Sequence, residues 1–282
     1  MTRSRRLSTP WRIAVAVVAT VAVCYGVAIL WLVSQETRLV FQAGRPLGES
    51  RPTFPYTQVD IPRADGSRQF AWAMEHPEAR AWILFLHGNS ATIASRVNIA
   101  RYRELRALGL NVLAPEYRGF AGLPGVPTEA GLDADARAAF DYLTGPRGVS
   151  PTRVVIYGWS LGSAVAVDLA SQVDEAAVIL EGAPASIVAI GQQRYPFFPI
   201  RLLIRNPFES IARIGQVGSP LLFLHSPEDT VVPIAEGRRL FDAAPVPKQF
   251  VEVSGGHVHA SERDPQFFPA VRSFLHTHRL LP

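Results

Sequence analysis

Between residues 81 and 253, apolar runs of strand length alternate with stretches of helical length, and this alternation limits what the chain can fold into more than any other feature. The runs are Ala81 to Leu86, Asn111 to Ala114, Arg153 to Tyr157, Ala176 to Leu180, Pro220 to Leu224 and Gln249 to Val253. They are nearly continuous rather than alternating, the pattern of strands covered on both faces. Helical segments are predicted between and beyond them, at Ile93 to Leu108, Glu129 to Leu143, Ser160 to Ser171, Ile234 to Ala243, and around Val271, Phe274 and Leu275. Strands and helices succeeding one another in this way give an α/β fold: a mostly parallel sheet with helices on both faces. One stretch breaks the rhythm. Residues 184–210 hold four prolines together with Tyr195, Phe197, Phe198 and Phe208, and read as a short cap inserted at the edge of the sheet.

The N-terminus has a different character. From Ile13 to Val33 the chain runs 21 residues without a charge, long enough to cross about 30 Å of hydrocarbon as a helix. The run exceeds the ~7 to 15 apolar residues of a signal peptide and continues into Trp31 and Leu32, so a retained transmembrane anchor is expected. A buried core helix would show a polar stripe that this segment lacks. The expected organisation is a basic segment over 1–12, the anchor over 13–33, a polar connector over 34–55 and one α/β domain over 56–282. The lone cysteine, Cys24, lies in the anchor, so the domain can form no internal disulfide. A lipoprotein reading of Cys24 would require a small residue before it, and Val23 is not one.

Charge excludes one class of partner. Arg3, Arg5, Arg6 and Arg12 carry the whole formal charge of +4, leaving 24 basic against 24 acidic residues beyond them. A domain without clustered positive excess is not built for a nucleic-acid backbone. The same four arginines, set against Arg38, Arg45 and Arg51 after the apolar run, give a modest positive-inside bias that puts the domain on the non-cytoplasmic side.

The chemistry centres on Gly158-Trp159-Ser160-Leu161-Gly162, which follows one predicted strand and opens one predicted helix. A serine hydroxyl attacks only if it projects from the backbone toward a base, and flanking glycines permit the tight turn that this requires. The helix N-terminus adds partial positive charge where an oxyanion would form. Upstream, His87-Gly88-Asn89 ends another strand, and backbone N–H groups of Asn89 and Leu161 are the candidate oxyanion hole, in which one lost donor commonly costs ~100- to 1000-fold in rate. His87 reads as a structural residue pinning that loop. An acid and then a histidine should follow the serine. Asp229, just after the strand ending at Leu224, is the candidate acid, with Glu228 as its rival. His257, after Gly255-Gly256, is the candidate base, with His259 as its rival; His276 and His278 read as solvated.

These motifs, HGN at 87–89, GWSLG at 158–162, the loop acid at 229 and GGH at 255–257, resemble the α/β-hydrolase superfamily over about residues 56–280. The chain is most similar to its single-pass, membrane-anchored branch of abhydrolase-domain and serine aminopeptidase-like proteins, with Tyr117-Arg118-Gly119-Phe120 and Tyr195-Pro196-Phe197-Phe198-Pro199 resembling that branch's post-strand loop and short cap. It departs from the branch at Glu116, where aspartate is more usual, and at His259. The resemblance implies a serine esterase, lipase or thioesterase acting on an acyl or lipid-like substrate, with no metal or organic cofactor. Phe197 and Phe198 are the expected substrate contacts. A serine peptidase, or a hydrolase fold kept only for binding partners at the membrane, are the alternatives.

Overall fold

The computed structural model describes residues 9–281; most of the basic segment expected over 1–12 lies outside the described residues. Helix α1 (Thr9–Ser34) contains the whole apolar run, and none of its apolar midsection is buried by the rest of the chain. By length and composition it is the one described helix able to cross a membrane. The expected connector is not wholly a linker. It includes α2 (Glu36–Phe41), whose Phe41 is 0% exposed and joins the main core beside Phe208. Glu36, also buried, uses one carboxylate oxygen to accept from the Arg205 and Asn206 N–H groups at 2.7 and 2.9 Å and from the Asn206 amide at 2.9 Å.

The domain follows as β1 (Thr57–Pro62), β2 (Arg68–Met74), β3 (Trp82–Leu86), α3 (Arg96–Ala107), β4 (Asn111–Pro115), α4 (Glu129–Thr144), β5 (Val154–Trp159), α5 (Leu161–Ala170) and β6 (Ala177–Glu181). After these come α6 (Ile187–Arg194), α7 (Ile200–Leu203), α8 (Ser210–Arg213), β7 (Leu221–His225), α9 (Ile234–Ala243), β8 (Lys248–Glu252), α10 (Gly256–Arg263) and α11 (Phe267–Thr277). All six strands and all five helices anticipated from periodicity are present, with ends shifted by a few residues. The strands form one eight-stranded sheet in the order β1-β2-β4-β3-β5-β6-β7-β8. β1 and β2 make an antiparallel hairpin, β2 pairs antiparallel with β4, and every remaining pair is parallel.

Burial explains the composition of the strands. β3, β5, β6 and β7 are buried at every position, which is why they read as continuous apolar runs. Two apolar layers result. One holds Leu84, Ile156, Val165, Leu180 and Phe223 with α4 and α5; the other holds Phe85, Tyr102, Tyr157, Ile179 and Leu222 with α3 and α11. The chain runs from β3 outward to β4 and returns across β3 to β5, so the order reverses between β3 and β5. Ligand sites in open α/β sheets form at such a reversal, beyond the carboxyl ends of the strands.

Residues 184–210, expected as a cap, form α6, α7 and the loops around them. Its apolar side closes on the N-terminal helix: Val188 and Ile200 form a small separate cluster with Leu32 of α1, flanked by Tyr195, Phe198, Leu203 and Ile204.

Candidate active site

Ser160 sits in the turn between β5 and α5 with φ 55° and ψ −120°, a conformation that a residue with a side chain adopts only under constraint. The constraints are visible. Ser160 N–H donates to the Glu181 carbonyl at 2.8 Å, and the Ser163 N–H donates back to the Ser160 carbonyl at 2.8 Å. Neighbouring glycines let the turn close: a Cβ on Gly162 would lie 2.0 Å from the Leu86 carbonyl oxygen, and one on Gly158 would lie 2.4 Å from that of Gly162. Neither position tolerates a side chain, so the spacing GxSxG is a packing requirement here.

Three predicted residues meet. His257 Nε2 lies 2.7 Å from Ser160 Oγ, and His257 Nδ1 lies 2.6 Å from Asp229 Oδ2. Asp229 follows β7, and His257 occupies the first turn of α10, a helix not legible in the sequence. Gly182, at φ +58°, leaves room beside the imidazole, where a Cβ would come within 3.3 Å of His257. Asp229 Oδ1 accepts from the Val231 and Val232 N–H groups, each at 2.8 Å. Burial alone would raise this carboxyl; the hydrogen bond and charge of His257, with the two backbone donors, hold it below the ordinary aspartate value. It is therefore an ionised acceptor fixed to one imidazole nitrogen, the arrangement that sets a tautomer.

The rivals are placed elsewhere. Glu228 accepts from the Gly255 N–H at 3.1 Å and so steadies the loop before His257. His259 lies 3.9 Å from Glu262 on the exposed side of α10.

Both candidate oxyanion donors border the serine. Leu161 is the first residue of α5, where a helix leaves its N–H without an internal acceptor, and Asn89 follows Gly88, whose Cβ would lie 3.1 Å from Ser160 Cβ. Among the described residues, neither the Asn89 nor the Leu161 backbone N–H is used by a hydrogen bond. His87 pins the loop as anticipated, its Nδ1 2.8 Å from the Gly88 carbonyl and its Nε2 2.8 Å from Glu116 Oε1. Glu116 Oε2 accepts from the Ile93 N–H at 3.0 Å. The longer side chain at 116 thus bridges imidazole and backbone.

The sequence gives little sign of a second buried group beneath the site. Arg101 of α3 donates to both oxygens of Glu181 at 2.9 and 2.5 Å, and Tyr157 donates to the same carboxylate at 2.6 Å. Arg101 also reaches the Val258 carbonyl at 3.2 Å and lies 4.4 Å above the Trp159 ring, while the Trp159 indole donates to the His257 carbonyl at 3.2 Å. The loop carrying His257 is therefore held by two side chains from beneath Ser160. Arg101 is one of four arginines in a polar helix, and nothing in the sequence singles it out.

Phe197 and Phe198 lie together in the cap. Phe197 is 86% exposed, and the ring of Phe198 stacks on Tyr25 of α1 with centroids 5.4 Å apart.

A serine on a strand–turn–helix elbow, with a carboxylate and an imidazole carried by later strands of a parallel sheet, defines the α/β-hydrolase class. Comparison with known proteins agrees. The model of the alpha/beta hydrolase family matches residues 83–215. An uncharacterized protein of Mycobacterium tuberculosis is 37% identical over 93% of this chain and 95% of its own length. The alpha/beta hydrolase domain-containing protein WAV2 of Arabidopsis thaliana is 31% identical over 78% of each chain. The human alpha/beta hydrolase domain-containing protein 17B is 30% identical over 71% of this chain and 67% of its own. Among solved structures, the esterase Pf2001 of Pyrococcus furiosus superposes with a TM-score of 0.71 over 83% of this chain and 96% of that one, at 19% identity. This chain belongs to the alpha/beta hydrolase family.

Proposed function

We propose that this protein is a membrane-anchored serine hydrolase that cleaves an ester or thioester of an acyl or lipid-like substrate through an acyl-enzyme on Ser160. The observation that carries this reading is the continuous hydrogen-bonded chain Ser160–His257–Asp229, at 2.7 and 2.6 Å. In this reading His257 Nε2 takes the hydroxyl proton as Ser160 Oγ attacks the acyl carbon. The unused N–H groups of Asn89 and Leu161 stabilise the oxyanion, and His257 returns the proton to the leaving alcohol or thiol. Water, activated by the same imidazole, then attacks the acyl-enzyme and releases the acid. Asp229 keeps Nδ1 protonated throughout, so that Nε2 faces the serine as a base.

The anchor and cap support the acyl assignment. Helix α1 would hold the domain at a bilayer, with the domain on the non-cytoplasmic side in keeping with the arginines that precede the helix. Phe197 and Phe198 would offer the acyl chain an apolar surface beside that anchor. The test is labelling with a fluorophosphonate probe together with an acyl-chain-length series. We expect labelling of the parent and none of Ser160→Ala, and a preference for longer chains that weakens when Phe197→Ala and Phe198→Ala are combined, since each buried methylene contributes ~0.8 kcal/mol. Full labelling of Ser160→Ala would remove the reading; an unchanged chain-length profile would remove the role of the two aromatics. Topology is checked separately, by protease added outside intact cells.

A further inference from the structure

We infer that the tip of the cap, residues 195–203, is itself embedded in the bilayer alongside α1, presenting Phe197 and Leu202 to hydrocarbon. This rests on the reading of α1 as a membrane span. Trp11 and Trp31 stand 20 residues apart on that helix, about 30 Å at helical rise, which matches the thickness of the hydrocarbon layer; tryptophan favours the interface at both edges. Tyr25 precedes Trp31 by six residues, and so lies about 9 Å inside the nearer interface. At that depth α1 meets the cap. The Tyr25 hydroxyl donates to the Phe197 carbonyl at 2.8 Å, and its ring lies parallel, within 9°, to that of Phe198. A segment touching α1 there is below the surface of the membrane.

The carbonyls of the tip meet the condition for such a place, while its Phe197 and Arg201 N–H groups find no acceptor among the described residues. Irregular chain enters hydrocarbon only where its polar groups are satisfied by protein. The five carbonyls from Tyr195 to Pro199 all accept hydrogen bonds. Phe198, Ile200 and Leu202 N–H groups donate to those of Tyr195, Phe198 and Pro199 at 3.1, 2.9 and 2.9 Å. The Gln192 amide donates to Pro196 at 3.2 Å, and Tyr25 supplies Phe197. Pro196 and Pro199 have no N–H to satisfy.

The side chains agree. Phe197 is 86% and Leu202 84% exposed, as are many of the valines and leucines of α1. Arg194, Arg201 and Arg205 are exposed around the tip, and their long stems let guanidinium groups rise to lipid phosphates while the apolar residues stay below. A protein partner for this face would have to lie within the membrane beside α1, so the bilayer is the occupant.

Depth-dependent quenching tests this in the full chain, reconstituted in phosphatidylcholine–phosphatidylglycerol vesicles. Cys24 is the sole cysteine, so a nitrobenzoxadiazole label on it reports α1. Labels on Phe197→Cys and Leu202→Cys, each combined with Cys24→Ser, report the tip. Val246→Cys, also combined with Cys24→Ser and 81% exposed on the loop before β8, gives the aqueous reference. We expect lipids bearing a nitroxide midway along the acyl chain to quench the labels at 24, 197 and 202 alike, while aqueous iodide quenches only the one at 246. Quenching of 24 by lipid with 197 and 202 quenched by iodide would overturn the inference and leave the anchor standing. Iodide quenching at 24 would remove the anchor and the inference with it.

Discussion

The side-chain amide of Asn89 donates to the carbonyl of Val40 at 3.1 Å, and the next residue, Ser90, donates its N–H to the Phe41 carbonyl at 3.1 Å. The proposed oxyanion loop is thereby fastened to α2, the helix just after the apolar span. Removing residues 1–34 keeps this contact and should leave kcat on a soluble short-chain ester near that of the parent. Removing residues 1–42 should lower kcat by ~10²- to 10³-fold, the usual cost of an oxyanion donor, and cost ~3–5 kcal/mol of stability through the loss of buried Phe41. Equal turnover by the two truncated chains would show that α2 does not shape the loop.

The triad reading separates near neighbours. Asp229→Asn and His257→Ala should each reduce kcat by ~10⁴-fold, the effect of a lost tautomer or base in such triads. Glu228→Gln and His259→Ala should have far smaller effects, because these side chains meet Gly255 and Glu262 rather than the imidazole. Steady-state kinetics on purified variants decides; a larger loss for either rival would reassign the role.

Arg101 and Glu181 form a buried pair that serves the site from below. Arg101→Met leaves a buried carboxylate without its cation and should cost ~3–5 kcal/mol of stability. Adding Glu181→Leu should restore most of that loss in denaturant unfolding. It should not restore kcat, because the Val258 carbonyl, next to His257, still lacks its donor. Recovery of stability and turnover together would make the pair purely structural.

Asp133 provides a pH signature distinct from catalysis. Burial, reinforced by the charge of Glu129 and opposed by Arg213, raises its carboxyl to about 7, and one of its oxygens is buried without a partner. A folded-state value above the unfolded ~3.9 means that folding favours the protonated form. Stability from this group is complete below about pH 4 and is lost as pH climbs through about 7. Asp133→Asn should therefore raise Tm at pH 8, by roughly 2–4 °C for each kcal/mol gained, and leave it unchanged near pH 4. An equal shift at both pH values would place the effect elsewhere.

The sheet and the turn that carries Ser160 are legible in the sequence because their causes are local. Continuous burial makes β5, β6 and β7 apolar throughout, and the clash distances at Gly158 and Gly162 force glycine on either side of Ser160. Other features depend on partners far away in sequence and leave no periodicity. Glu36 looks like a solvated helix residue until Arg205 and Asn206 arrive, 169 and 170 positions later. Arg101 reads as surface charge until Glu181 and Val258 surround it. Helix α10 is short, polar and opened by two glycines, so only its contact with Asp229 and Ser160 shows why the chain coils there.

On the proposed reading of α1 as an anchor, Glu36, held by three donors at its foot, makes it a mast rather than a leash. Twenty-two flexible residues between membrane and domain would allow excursions of about 25 Å; here residues 36–41 form a docked helix only about 9 Å long. The nucleophile then rides at one height above the lipid, and the enzyme should select esters by how far they stand from the surface as well as by their acyl chains. Lipid-tethered esters on spacers of graded length should show a sharp optimum in hydrolysis rate, and a flat profile would mean that the domain swings freely.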